Sequence, residues 1–185
     1  SYADNMQANI FAPLGMNNTG YEVPKAVIPN LAQGYLSLGG QSYLQAEPID
    51  MSLPQGAGGL YSTVEDLATW HQWLSVSSAG QPTLMQPPLS KASVTLLLKP
   101  VIAMGLDRPG PDAFYGYGFV HDTYVGHQLL HHNGSINGFA SSLSYYPEEK
   151  LTVGILANCE NTLAETISKN LAAIVFNHSY LNNCS

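Results

Sequence analysis

Charge is scarce in this chain. Of 185 residues, six are Lys or Arg and 13 are Asp or Glu, a charged fraction of 10% with a net charge of −7. Globular proteins usually carry about 25%. With so few cations there is no basic patch to release counterions from nucleic acid or to hold an anionic membrane surface, so neither is a partner class. No apolar run reaches the ~18–20 residues of a membrane span. Cysteine is scarce too: Cys159 and Cys184 make neither a disulfide framework nor a C-x-x-C metal spacing. A bridge between them would be worth ~3 kcal/mol in the chain-entropy model; two separate thiols are the other reading, and both stay open. No H-E-x-x-H pair occurs, and the six histidines show no zinc-ligand spacing with acidic residues, so no metal or other cofactor is expected. What is present is an apolar fraction of 45%, ordinary for a globular chain and too high for disorder. The length fits one compact unit or two small ones.

Along the chain the pattern divides. Tyr2 to Phe11 reads as a helix stopped before Pro13, followed by a turn-rich exit through Pro13-Leu14-Gly15-Met16-Asn17-Asn18-Thr19. Residues 20–60 are irregular and Gly-rich, the signature of a functional loop region. Ser62-Thr63-Val64-Glu65 reads as a capping box ahead of an amphipathic helix carrying Leu67, Trp70, His71 and Leu74 to about Ser75; His71 on that face reads as a packed, satisfied core histidine. A second helix opens at Ser90 and runs through Leu98, and Val101 to Ala113, including Arg108-Pro109-Gly110-Pro111, reads as loop. From Phe114 the period changes: Tyr117–Asp122, Gln128–His132, Phe139–Tyr146 and Leu151–Ala157 read as strands, the last apolar on both faces and so expected inside a sheet. Thr162-Leu163-Ala164-Glu165 reads as a second capping box, with Leu163, Ile167, Leu171, Ile174 and His178 as the apolar stripe of a helix to about Tyr180 that covers the sheet. The fold class is α+β, with residues 1–113 a helical, loop-rich region and 114–185 an antiparallel sheet with a C-terminal helix.

One segment carries chemistry: His131-His132-Asn133-Gly134-Ser135-Ile136-Asn137-Gly138-Phe139. A strand runs into a titratable side chain, a small polar residue, Gly and Ser. Gly134 lets another molecule approach the backbone and leaves the Ser135 N–H to donate to it; His132 sets a proton donor beside the same spot, and Asn137 adds an amide. A plain strand–turn–strand would also use Asn and Gly here.

The run His-Asn-Gly-Ser-Ile-Asn-Gly-Phe resembles the third motif of the penicillin-recognising serine hydrolases, Lys-Thr-Gly-Ser-Thr-Asn-Gly-Phe in class C β-lactamases, in its H-x-G form. Three more stretches resemble that family in the same order: Ile10 to Thr19 its I-x-x-P-L-G-M-x-x-T segment, Ala57 to Leu67 its A-G-G-L-x-S-T-x-x-D-L segment, and Tyr115-Gly116-Tyr117-Gly118-Phe119 its Y-G-Y-G-W strand.

The resemblance implies a β-lactamase/transpeptidase-like fold and acyl-enzyme chemistry, with His132 in the place of the motif lysine and the Ser135 N–H as one of two oxyanion donors. It implies substrate contacts at Asn133, Gly134 and Asn137, no metal, a small-molecule or peptide substrate, and a periplasmic or extracellular setting. Histidine for lysine and Gly58 for an aromatic residue are closer to the family's esterases, peptidases and D-amino-acid hydrolases than to a dedicated lactamase, and Asn133 departs from the usual Thr in the hydrogen bonding of the motif. The family's Ser-x-x-Lys is absent: no serine here has Lys three residues later, and no Tyr-x-Asn stands in the N-terminal region. The expectation is therefore a C-terminal fragment of such a hydrolase, inactive alone; the competing reading is a non-catalytic module binding peptidoglycan-like or other carboxylate ligands. In the family fold N-terminal strands flank the last strand, so Leu151–Ala157 would become an open edge. That edge would take the N-terminal half or a second copy.

Overall fold

The computed structural model describes residues 1–21, 27–78, 88–105 and 113–179. The loop expected around Arg108 and Cys184 of the possible bridge lie outside them.

The N-terminal rod consists of α1 (Tyr2–Met6), a π-helical turn over Gln7–Phe11 and α2 (Ala12–Leu14). It therefore runs past Pro13, not merely to Phe11. The wide turn, with the Ala12 N–H on the Gln7 carbonyl, opens the ladder where the proline ring would clash and lacks a donor. Gly15 then takes a left-handed φ of 70°, and the Met16 N–H reaches the Phe11 carbonyl at 2.9 Å to close the helix.

Two short strands, β1 (Gly20–Tyr21) and β4 (Leu60–Tyr61), pair with each other. Between them lies a hairpin, β2 (Tyr35–Gly39) and β3 (Ser42–Gln45), inside the stretch expected to be irregular. α3 (Val64–Ser78) is capped by Thr63, whose Oγ1 accepts the Asp66 N–H at 3.3 Å. Ser62 is not the cap: its hydroxyl meets the Thr19 hydroxyl at 2.7 Å. Asp66 is buried, and one carboxylate oxygen accepts both the Asn18 N–H and the Thr19 hydroxyl at 2.8 Å. α4 (Lys91–Leu97) has the expected Ser90 cap. Phe11, Leu14, Met16, Trp73, Leu74 and Val94 join these helices in one core.

The main sheet has six strands in the order β10-β9-β8-β7-β6-β5, antiparallel throughout. β5 (Ile102–Ala103) occupies ground read as loop, β6 (Phe114–Gly116) precedes the first expected strand, and β7 (Phe119–Tyr124) starts two residues later than expected because Tyr117 and Gly118, at φ 49° and 87°, make the turn. β8 (His127–Ile136) is longer than expected; β9 (Phe139–Tyr146) and β10 (Leu151–Ala157) have the expected bounds. β10 is the outermost strand of the described sheet, not a central one. Its apolar faces are explained by α3 on one side and by α5 (Ala164–Val175) on the other.

α5 sits on the sheet turned from its expected orientation. The small residues Ala164, Ser168, Ala172 and Ala173 are buried, with Ser168 donating to Ser144 at 3.0 Å, while Leu163, Ile167, Leu171 and Ile174 stay exposed. Small side chains let the helix approach strands that already present Tyr146 and Leu129 to the second core. The Thr162–Glu165 capping box does not form either: Leu163 is the N-cap, and Glu165 is engaged elsewhere.

His71 is packed but not satisfied. It is 1% exposed between Tyr145 and Phe119, and neither ring nitrogen has a hydrogen-bond partner among the described residues. Burial holds its pKa down to about 4. The unfolded chain takes up a proton below about pH 6.5 and the folded one cannot until about pH 4, so stability present above pH 6.5 is lost as pH falls across that window. Urea unfolding at pH 7 and pH 4 should show wild type losing about 3 kcal/mol more than His71→Leu; equal losses would contradict this.

Candidate active site

The site is built on the far end of β8. The β7–β8 register ends at Val120 opposite His131, while β8 continues for five residues beside β9, as far as Ile136 opposite Phe139. Peptide groups alternate along an antiparallel strand, and the tight turns at both ends of β8 fix the parity: even positions bond to β9, odd positions point toward β7. The N–H groups of Asn133 and Ser135 therefore point to the side where β7 has ended. They face a space rather than a partner strand.

Ser135 and Gly134 line an open cleft of about 1010 Å³, with Ile136 and Asn137 beside them and Asn18, Met51 and Tyr61 among the residues opposite. The floor is close-packed. A side chain at Gly134 would run into the Ser141 hydroxyl. The turn Asn137–Gly138 is held by Tyr35, whose N–H reaches the Gly138 carbonyl at 3.2 Å, and by Glu160, whose carboxylate accepts the Gly138 N–H at 3.1 Å.

His132 and Asn133 line a smaller neighbouring pocket, not the cleft itself. His132 Nδ1 lies 2.7 Å from the Asn133 carbonyl, which only accepts, so Nδ1 carries a proton. In the neutral ring Nε2 then accepts from the Tyr115 hydroxyl at 3.2 Å. Asn133 donates from Nδ2 to Glu165 Oε2 at 2.7 Å, and Lys169 donates to Oε1 at 2.7 Å. Burial alone would raise the Glu165 pKa, but Lys169, with smaller contributions from His131 and Asn133, outweighs it and holds the carboxyl below its ordinary value.

Of the residues singled out in the sequence, the fold thus gathers Gly134, Ser135 and Asn137 at the cleft and sets His132 and Asn133 just beyond its edge. Tyr115 and Glu165 were missed as site residues. Tyr115 stood in a quoted motif without a role, and Glu165 was absorbed into a capping reading.

The Beta-lactamase family model matches residues 1–176. This chain belongs to the beta-lactamase family. It is 26% identical over 152 residues to the human "Putative beta-lactamase-like 1", covering 80% of this chain and 27% of that protein. It is 22% identical over 118 residues to a D-aminopeptidase of Cereibacter sphaeroides, covering 64% of this chain and 20% of that enzyme. Among solved structures, the octameric penicillin-binding protein homologue from Pyrococcus abyssi superposes with a TM-score of 0.77 at 26% identity, over 97% of this chain and 38% of that one. The chain therefore has the β-lactamase/transpeptidase-like fold of this serine hydrolase family and spans well under half the length of these relatives. No described helix is long and apolar enough to cross a membrane.

The turn that carries Asn137 should be intolerant of change. Gly138 has φ 82°, and a Cβ there would stand 2.6 Å from Ala46 Cβ and 2.8 Å from Gly34 Cα. Gly138→Ala is expected to lower unfolding free energy by at least about 2 kcal/mol, from left-handed strain plus backbone overlap. Unchanged stability in denaturant would show that the turn can move.

Proposed function

We propose that this chain is the C-terminal wall of a beta-lactamase-family serine hydrolase that cleaves an ester, an amide or a D-amino-acid peptide, with β-lactams as possible side substrates. The direction of the Ser135 N–H, set by β8 outlasting β7 and aimed into a lined cleft, carries this reading.

In the reaction, a serine oxygen attacks the substrate carbonyl and the oxyanion forms against the Ser135 N–H. The leaving group departs with a proton, and water then hydrolyses the acyl ester. A single oxyanion donor is worth ~2.7–4 kcal/mol of barrier, so this peptide group matters whatever its side chain. In this reading His132, with Tyr115 on Nε2, moves or orients a proton near the leaving group; Gly134 allows close approach, and Asn133 and Asn137 offer amides to substrate.

The nucleophile and its lysine come, in this proposal, from a polypeptide segment outside the present sequence. Two surfaces suit that segment. β10 is an edge strand, and edge strands present unpaired peptide groups; beside it α5 exposes Leu163 (67%), Ile167 (41%), Leu171 (44%) and Ile174 (54%). By itself the chain has half an oxyanion hole and no activated nucleophile, and is silent.

Intact mass of the purified protein, before and after a fluorophosphonate probe and a labelled penicillin, tests this. The expected result is no adduct on this chain and an adduct on a co-purifying or co-expressed polypeptide that carries Ser-x-x-Lys. An adduct on a serine of this chain would overturn the assignment.

A further inference from the structure

The pocket next to the cleft, about 190 Å³, has a chemistry of its own. Asp122, His131, Asn133 and Glu165 line it along with His132 and Tyr115. His131 is 6% exposed, and neither of its ring nitrogens has a hydrogen-bond partner among the described residues, although both are buried. A buried polar group without a partner is costly, and in a cavity wall it calls for an occupant that can bond to it. Burial, reinforced by nearby Lys169, outweighs the opposing pull of Glu165 and Asp122 and lowers the pKa of this imidazole, so near neutrality the ring in the pocket wall is uncharged.

The charges point to one kind of occupant. Two carboxylates line the pocket, no Lys or Arg is among its lining residues, and Lys169 is bonded to Glu165. Asp122 accepts the Thr123 N–H at 2.7 Å and has no ion-pair partner among the described residues. A carboxylate or phosphate entering here would meet like charge. A metal ion would need at least three suitable ligands, and no such group of His, Cys, Asp and Glu exists among the described residues. A primary ammonium has three donors and one positive charge. That matches a neutral ring nitrogen, the carboxylates and the Asn133 amide oxygen.

Position ties the pocket to the cleft. Asn133 and Ser135 are two residues apart on β8, about 7 Å along the strand. A molecule whose carbonyl rests at the Ser135 N–H therefore reaches the pocket with a group a few bonds away.

We infer that the Asp122–His131–Asn133–Glu165 pocket is a subsite for a primary ammonium group carried by the substrate or its leaving group, an inference that rests on the hydrolase reading of the cleft. It favours amine-bearing amides and esters over the carboxylate-bearing ligands that the competing binding-module reading would select.

The test uses the full chain with ¹³C- and ¹⁵N-labelled histidine. Titration with ethylammonium chloride should shift the His131 ring resonances saturably, whereas sodium chloride and propionamide at the same concentrations should not. Asp122→Asn removes one charge at constant shape and should weaken ethylammonium binding roughly tenfold, the equivalent of one charge-assisted hydrogen bond. Should that variant lose its dispersed amide spectrum, Glu165→Gln provides the same comparison. A His131 signal that does not move, that moves equally with propionamide, or an Asp122→Asn variant that binds unchanged would overturn the subsite. The hydrolase reading is tested separately by the position of the probe adduct. An adduct on a partner polypeptide with His131 unmoved would remove the subsite alone, and an adduct on this chain with His131 responsive would remove the hydrolase reading alone.

Discussion

A mismatch in strand length governs this molecule: β8 has ten residues and β7 has six. From Leu130 to Ile136 each residue of β8 has a partner on β9, but past His131 the other side of the strand has none in the register. Backbone donors are obligatory hydrogen-bonding groups, and a sheet that stops pairing on one side hands them to solvent or to a ligand. The two orphaned N–H groups fall within the His-Asn-Gly-Ser run, so the motif and the register describe one feature. Gly134 fits the same logic, since its missing side chain keeps the strand tight against Ser141.

The remaining motif residues hold the cleft's other side in place. The Pro-Leu-Gly-Met-Asn-Asn-Thr segment and the Ser-Thr-Val-Glu-Asp segment are distant in sequence, and their polar ends meet at Asp66, which accepts from Asn18 and Thr19 in a buried setting. Charge-assisted bonds in such places are worth about 1.5–3 kcal/mol each, and losing the acceptor would leave buried donors unmet. Asn18 and the Ser62–Thr63 pair also line the cleft, so the anchor that closes the helical core also fixes the wall facing Ser135. Tyr35 and Glu160 do the same for the turn that carries Asn137.

Much of this was legible in the residues. β9 and β10 were read to the residue because Pro147-Glu148-Glu149-Lys150 punctuates them and their β-branched and aromatic content is unambiguous. α3 and α4 were visible through their caps and apolar spacing. The fold family was visible through four ordered motifs. What escaped was decided by tertiary context. The helical rod passes Pro13 because a π turn makes room for it, which no local propensity signals. The apolar stripe of α5 named the wrong face, because periodicity shows that large residues share a side but not whether this chain supplies their cover. The hairpin at Tyr35–Gln45 was hidden by its Gly39-Gly40 turn, read as loop punctuation rather than as a strand reversal. Tyr115 and Glu165 reach the site through side chains from β6 and α5, a convergence that sequence spacing does not encode.

Native-state hydrogen exchange along β8 tests the central claim most directly. If the Ser135 and Asn133 amides face a space left by β7, they exchange far faster than their neighbours His132, Gly134 and Ile136, which are bonded to β9. Protection of Ser135 equal to that of Gly134 would mean that its N–H is already paired. The oxyanion role would then have no donor on this chain.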